Sequence, residues 1–262
     1  MSPAERIYAM LSLAHSENRN FPATIFYNEG WLLRLVLDWF SRRNSSENHP
    51  LDFSLEAGWF SEALLPSQFR PRRRPDPLSE SRTHADGVIG HVTIGSGAKA
   101  DVVLKKGASQ FVVIEAKLFS PLAPNVKKAP GFNQAARNVA CIAEVLCRAE
   151  QHPERIPSIG FFVLAPQVQI EKNIFSPLMD KSSIRDKVTQ RVRKYDESDK
   201  DQWLNKWFEP TLDRARVETL SWEHIIELIH NEDPTFGSDL SGFYRDCLQF
   251  NQIQETRSLN GY

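Results

Sequence analysis

The chain has 262 residues, 41% of them apolar, which is enough for one substantial core and short for two. Its 32 Lys and Arg against 33 Asp and Glu give a formal charge of -1, which excludes a polycation that coats nucleic acid nonspecifically; any such contact must come from local patches. Cys141, Cys147 and Cys247 lack a Cys-x-x-Cys spacing and read as reduced thiols rather than a zinc site, no apolar run approaches the ~20 residues of a membrane span, and the first residues lack signal-peptide order, so a cytoplasmic protein is expected.

Residues 4 to 15 carry Ile7, Met10, Leu11 and Ala14 at helical spacing and predict a short packing helix. A second helix is predicted from Tyr27 to Phe40, with Leu32, Leu35, Val36 and Trp39 on the face that would cover a sheet. Glu29 near its start is either a carboxylate favoured by the helix dipole or one turned inward toward a site. Residues 41 to 58 read as a polar loop, and Trp59 to Leu65 as one or two helical turns. Arg70, Arg72, Arg73 and Arg74 stand among three prolines, which excludes a helix and predicts an extended arm able to run along phosphates.

His84 to Gly95 mixes β-branched residues with glycines and predicts the first strand of a sheet. Asp86 lies near its start, and Gly87 after it suggests a turn; His84 and His91 read as structural. Lys99 to Leu104 and Phe111 to Lys117 are apolar runs separated by turn-like residues 105 to 110, so they are expected to pair as a hairpin. Side chains two apart share a strand face, so Glu115 and Lys117 point the same way out of otherwise buried material. Glu115-Ala116-Lys117 is the one Asp/Glu-x-Lys in the chain, and with Asp101 on the paired strand it forms a candidate site for a hard divalent cation. Asp86 competes with Asp101 for the second carboxylate.

Beyond the site, residues 120 to 130 hold three prolines with Lys127 and Lys128, and form a loop placed for substrate contact. A helix follows over 131 to 149, with Phe132, Ala135, Val139, Ile142 and Leu146 on one stripe and Gln134, Arg137 and Asn138 in its first two turns. Residues 156 to 165 predict a buried strand parallel to the Glu115 strand, reached by a right-handed crossover. Residues 183 to 195 predict a helix with Ile184, Val188, Val192 and Tyr195 inward and a charged surround that includes Arg191. Further helices are expected at 203 to 208 and at 221 to 229, the latter capped by Ser221, with a strand at 217 to 220.

Asp101, the hairpin, Glu115-Ala116-Lys117 and a helix bearing Gln134 together resemble the core of the PD-(D/E)XK nuclease superfamily, with Ala100-Asp101 in place of the family's Pro-Asp. The resemblance implies an α/β chain with a restriction-endonuclease-like αβββαβ core, a mixed central sheet flanked by helices, and extra C-terminal helices. One domain would span 1–262, its core about 25–166 and a helical elaboration about 167–262. It further implies that Asp101, Glu115 and the Ala116 carbonyl hold Mg²⁺, with Mn²⁺ able to substitute and Glu29 completing the site. Lys117 would act on the attacking water and Gln134 would face the centre. The expected activity is Mg²⁺-dependent endonucleolytic hydrolysis of DNA, a chemistry that restriction and antiphage systems use. DNA contacts are expected from Arg72, Arg73, Arg74, Lys127, Lys128, Arg137 and Arg191, and cutting both strands with one site per chain would call for a homodimer. The rival readings are a DNA-binding module that keeps the fold without cleaving, and a protein-interaction subunit of a larger assembly.

Overall fold

The computed structural model describes residues 3–17, 21–43, 49–71, 76, 78–95, 97–126, 129, 131–195 and 198–259. Helix α1 (Pro3–Glu17) precedes α2 (Glu29–Arg42), followed by strands β1 (Gly58–Leu65), β2 (Thr83–Gly90), β3 (Val92–Ile94), β4 (Val102–Leu104) and β5 (Gln110–Ala116). Next come α3 (Gln134–Arg148), β6 (Ser158–Ala165), α4 (Gln167–Glu171), α5 (Ser176–Met179) and α6 (Lys181–Arg193). The chain continues with α7 (Ser198–Trp203), a π-helical stretch (Leu204–Phe208), α8 (Glu209–Arg214), β7 (Arg216–Ser221), α9 (Trp222–Glu232) and α10 (Pro234–Leu259).

The result is an α/β fold around a five-stranded mixed sheet in the order β1-β2-β5-β6-β7, with β1, β2 and β5 antiparallel in turn and β5, β6 and β7 parallel. All seven residues of β5 are buried, as expected of a central strand covered on both faces. Phe111 and Val113 join Val139, Ile142 and Leu146 of α3, with Ile184 and Val188 of α6, in the core on one face. Val112, Ile114 and Ala116 join Leu33 and Leu37 of α2, Trp222 and Ile225 of α9, and Leu240 of α10 on the other. Side-chain caps set where the covering helices begin: Asn28 accepts from the Trp31 N–H at 3.0 Å, Asn133 from the Ala136 N–H at 2.7 Å, and Ser221 from the His224 N–H at 3.3 Å.

Several expectations along the first half are corrected. Residues 58–65 are a strand rather than helical turns: β1 pairs with β2 from Gly58↔Gly90 to Leu65↔Thr83, and that pairing overrides the weak local signal. The predicted hairpin does not form, because β4 pairs with β3 in a separate two-stranded ribbon while β5 takes β2 as its antiparallel neighbour. The physical reason is burial. β4 is three residues long with Val103 42% exposed, whereas β5 is apolar on both faces and needs long neighbours on both edges. The predicted 84–95 strand accordingly breaks at Gly90, where a Cβ would lie 2.4 Å from the Gln110 carbonyl oxygen.

Gly87 is no turn either. It sits in mid-strand, and a Cβ there would meet Leu33 Cδ2 at 3.0 Å and Leu37 Cδ1 at 3.1 Å, so the missing side chain lets α2 lie close on the sheet. Helix α1 packs less than expected and leaves Ile7, Tyr8, Met10 and Leu13 exposed. The segment after residue 166 is also more than an appendage: β7 extends the main sheet, and α9 and α10 close the face shared with α2.

Candidate active site

The last rung between β2 and β5 is Gly87↔Ile114, yet β2 continues outward to Thr83 and β5 onward to Ala116. The strands therefore fork. Continuing the register by one residue sets Asp86 opposite Glu115 at the mouth of the fork. The Ala116 N–H, deprived of a strand partner there, donates to Asp86 Oδ2 at 2.8 Å. Because the N–H and C=O of one strand residue leave toward the same side, the Ala116 carbonyl faces this opening too.

Glu115 is 2% exposed and accepts three charge-assisted bonds. Gln134 Nε2 donates to its Oε2 at 2.7 Å, Asn138 Nδ2 to its Oε1 at 2.8 Å, and Lys117 Nζ lies 3.3 Å from Oε2. Gln134 and Asn138 are one turn apart in the first two turns of α3, so a single helix face grips both carboxylate oxygens. Burial, and then the like charge of Asp86, push the Glu115 carboxyl up to about 7, against the pull of Lys117 and Asn138. Gln134 also accepts from the Ala123 N–H at 3.1 Å and donates its backbone N–H to the Ala123 carbonyl, tying the loop after β5 to the same place. Lys117 is held through its own backbone: its N–H donates to the Leu164 carbonyl at 2.8 Å, and its carbonyl accepts from Trp222 Nε1 at 2.8 Å.

Of the residues singled out from the sequence, the structure brings together Glu115, Ala116, Lys117 and Gln134, with Asp86 as the second carboxylate. Asp101 lies elsewhere. It bridges to Leu64 on the outer edge of β1, so β1 and β2 separate it from β5 by about 14 Å at ~4.8 Å per strand. Glu29 opens α2, and its negative charge acts on the Cys247 thiol of α10, while the carboxylate that acts on Glu115 is Asp86.

Two residues expected at a DNA surface belong to the interior. Arg191 is 4% exposed, lies over the rings of Phe69, Phe132 and Tyr195, and donates to the Leu78 carbonyl. Arg137 donates to the Ser81 carbonyl at 2.6 Å and faces Glu80 Oε2 at 3.4 Å. Arg72, Arg73, Arg74, Lys127 and Lys128 lie outside the described residues. Asn138 is the contact to which sequence reasoning gave no role; its place one turn after Gln134 was the available signal.

A divalent cation fits this donor set. Among the described residues no three His, Cys, Asp or Glu side chains gather in one cluster, but Mg²⁺ is commonly held by one or two carboxylates with water and phosphate oxygens completing its shell. Burial and the neighbouring Asp86 charge both disfavour ionised Glu115, and a cation bound between the two carboxyl groups would relieve both. No protein-family model, curated protein or solved structure matches this chain.

Proposed function

We propose that this chain is a Mg²⁺-dependent nuclease of the PD-(D/E)XK type that hydrolyses phosphodiester bonds of DNA, with Asp86 in the role first given to Asp101. The reading is carried by one observation: Glu115 at the β2/β5 fork faces Asp86, Lys117 and Gln134 together. The order α2-β1-β2-β5-α3-β6, with the β3–β4 ribbon as an insertion, supports it, since this is the αβββαβ sequence of elements the motif leads one to expect.

Asp86, Glu115 and the Ala116 carbonyl would hold the cation, which when bound supplies Lewis-acid neutralisation of the phosphodiester charge. Lys117 orients the attacking water and steadies its deprotonated form; its side chain is 12% exposed, so its charge acts with little screening. Gln134 and Asn138 keep the Glu115 carboxylate fixed while its partners change.

The deciding experiment is cleavage of supercoiled plasmid with Mg²⁺, with Mn²⁺ and with EDTA, comparing Asp86→Asn and Asp101→Asn. Asp86→Asn is expected to abolish cutting and Asp101→Asn to retain it. Parent-rate cleavage by folded Asp86→Asn would sink the assignment. DNA affinity that ignores EDTA, with no cutting by the wild type, would leave a non-cleaving DNA-binding module.

A further inference from the structure

We propose that the outer edge of β7 is a self-association surface, on which a second copy of this chain adds its own β7 antiparallel, about a twofold axis at Val217. The inference stands independently of the nuclease reading.

The two edges of the main sheet are treated differently. The β1 edge is covered: the Leu64 N–H donates to the Ala100 carbonyl at 2.8 Å, Leu64 bridges to Asp101, and the backbone at Glu62 turns to φ 56°, which a neighbouring strand could not follow. The β7 edge has no such cover among the described residues. Its backbone pairs with β6 alone, it contains no proline and no left-handed residue, and its central residues Val217 and Thr219 suit a strand. A groove of about 420 Å³ runs beside it, lined by Ser176, Met179, Asp180, Val217, Glu218 and Thr219, so an incoming strand has room on the α5 side.

The charge pattern selects the occupant. Arg216 and Glu218 share the strand face turned toward Phe162, and within one chain they bond to each other, Nη2 to Oε2 at 2.9 Å, with both side chains about half exposed. Edges guarded against association carry repelling charges; here the pattern is self-complementary. Antiparallel pairing centred on Val217 sets Arg216 of each copy opposite Glu218 of the other, turning each intrachain pair into a cross-strand pair at both ends. The paired stretch is confined to residues 215–219, because α8 ends at Arg214.

Sedimentation of the full chain across a wide concentration range at low salt tests this. The wild type should show a concentration-dependent dimer. Arg216→Glu alone and Glu218→Arg alone each place like charges opposite one another twice, and should weaken self-association by at least ~10-fold. An equimolar mixture of the two single variants restores both cross-strand pairs and should recover the dimer, as should the double swap within one chain. That recovery also shows that the variants fold. A wild type that stays monomeric throughout overturns the proposal and leaves the edge to an extended segment of some other protein; single variants that dimerise as tightly as the wild type overturn it as well.

Discussion

The Glu115 carboxyl makes a sharp prediction about stability. Raised from its ordinary 4.5 to about 7, it holds a proton in the folded protein between those values while the unfolded chain has released it. The associated stability is therefore fully present below about pH 4.5 and is lost as pH rises through about 7. A rise of that size corresponds to about 3 kcal/mol as an upper limit, since the group is almost wholly buried and solvent screening is small. His49 pulls the other way: burial lowers its imidazole to about 4, so its contribution is present above its ordinary 6.5 and is lost as pH falls through about 4. The difference between the wild type and Glu115→Gln removes that background. Urea unfolding in EDTA should find the two proteins similar near pH 4.5 and the wild type weaker by up to about 3 kcal/mol at pH 8. Adding Mg²⁺ at pH 8 should then stabilise the wild type and leave Glu115→Gln unmoved. Parallel stability curves for the two proteins from pH 4.5 to 8 would refute the account of Glu115 as a carboxylate crowded by Asp86.

Lys117→Ala removes the ammonium 3.3 Å from Glu115, so metal affinity by calorimetry should persist or rise while cleavage falls by ~10²–10⁴. Gly87→Ala drives a methyl against Leu33 and Leu37 and should cost ~1–3 kcal/mol in thermal or urea unfolding, with α2 displaced from the sheet. Arg191→Met should lower the melting temperature and leave the salt dependence of DNA affinity unchanged, because the guanidinium is caged by Phe69, Phe132 and Tyr195. Replacing Arg72, Arg73 and Arg74 together, by contrast, should flatten that salt slope by up to about three contacts' worth; an unchanged slope would return the arm to ordinary solvated chain.

What the sequence disclosed was decided by how local its causes are. β5 was legible because a seven-residue run buried on both faces has few other solutions, and Glu115, Lys117 and Gln134 follow from that strand and the helix after it. The partner carboxylate was not. Both Asp86 and Asp101 precede short β-branched runs, and the choice between them depends on which strand β5 takes as its neighbour. Proximity along the chain favours the Asp101 strand, whereas burial across the whole sheet favours β2, and burial prevails. Arg191 was misread for a similar reason. It flanks the inner stripe of α6 beside Val188 and Val192, but the rings of Phe69 and Phe132 that receive it come from distant segments, which helical periodicity cannot reveal. The 26-residue α10 escaped notice because Gly237 and Gly242 interrupt its pattern; Gly237 is needed where α10 crosses α9, since a Cβ there would lie 2.3 Å from the His230 Cα.

The interior cations explain how so costly a fork can persist. Two carboxylates and an ammonium gathered where Glu115 is 2% exposed would relax if β2 could slide away from β5. Besides the ladders that pin β2 to β1 and β5, side chains of the covering helices hold three carbonyls of the segment between β1 and β2, those of Gln68, Leu78 and Ser81. Lys200 donates to the Gln68 carbonyl, Arg191 and Tyr195 to that of Leu78, and Arg137 to that of Ser81, two residues before β2 begins. The Glu80 N–H closes the base of the loop onto the Phe69 carbonyl at 2.9 Å. Arg137 lies on α3 between Gln134 and Asn138, so one helix turn fixes both sides of the fork: it holds Glu115 through two amides and the start of β2 through a guanidinium. The placement of Asp86 against Glu115 thus rests on the β2–β5 ladder next to it and on the α3 side chains that hold Glu115 and Ser81, rather than on the carboxylates alone. That is the condition for charged groups to stay poised at a site instead of rearranging to suit one another.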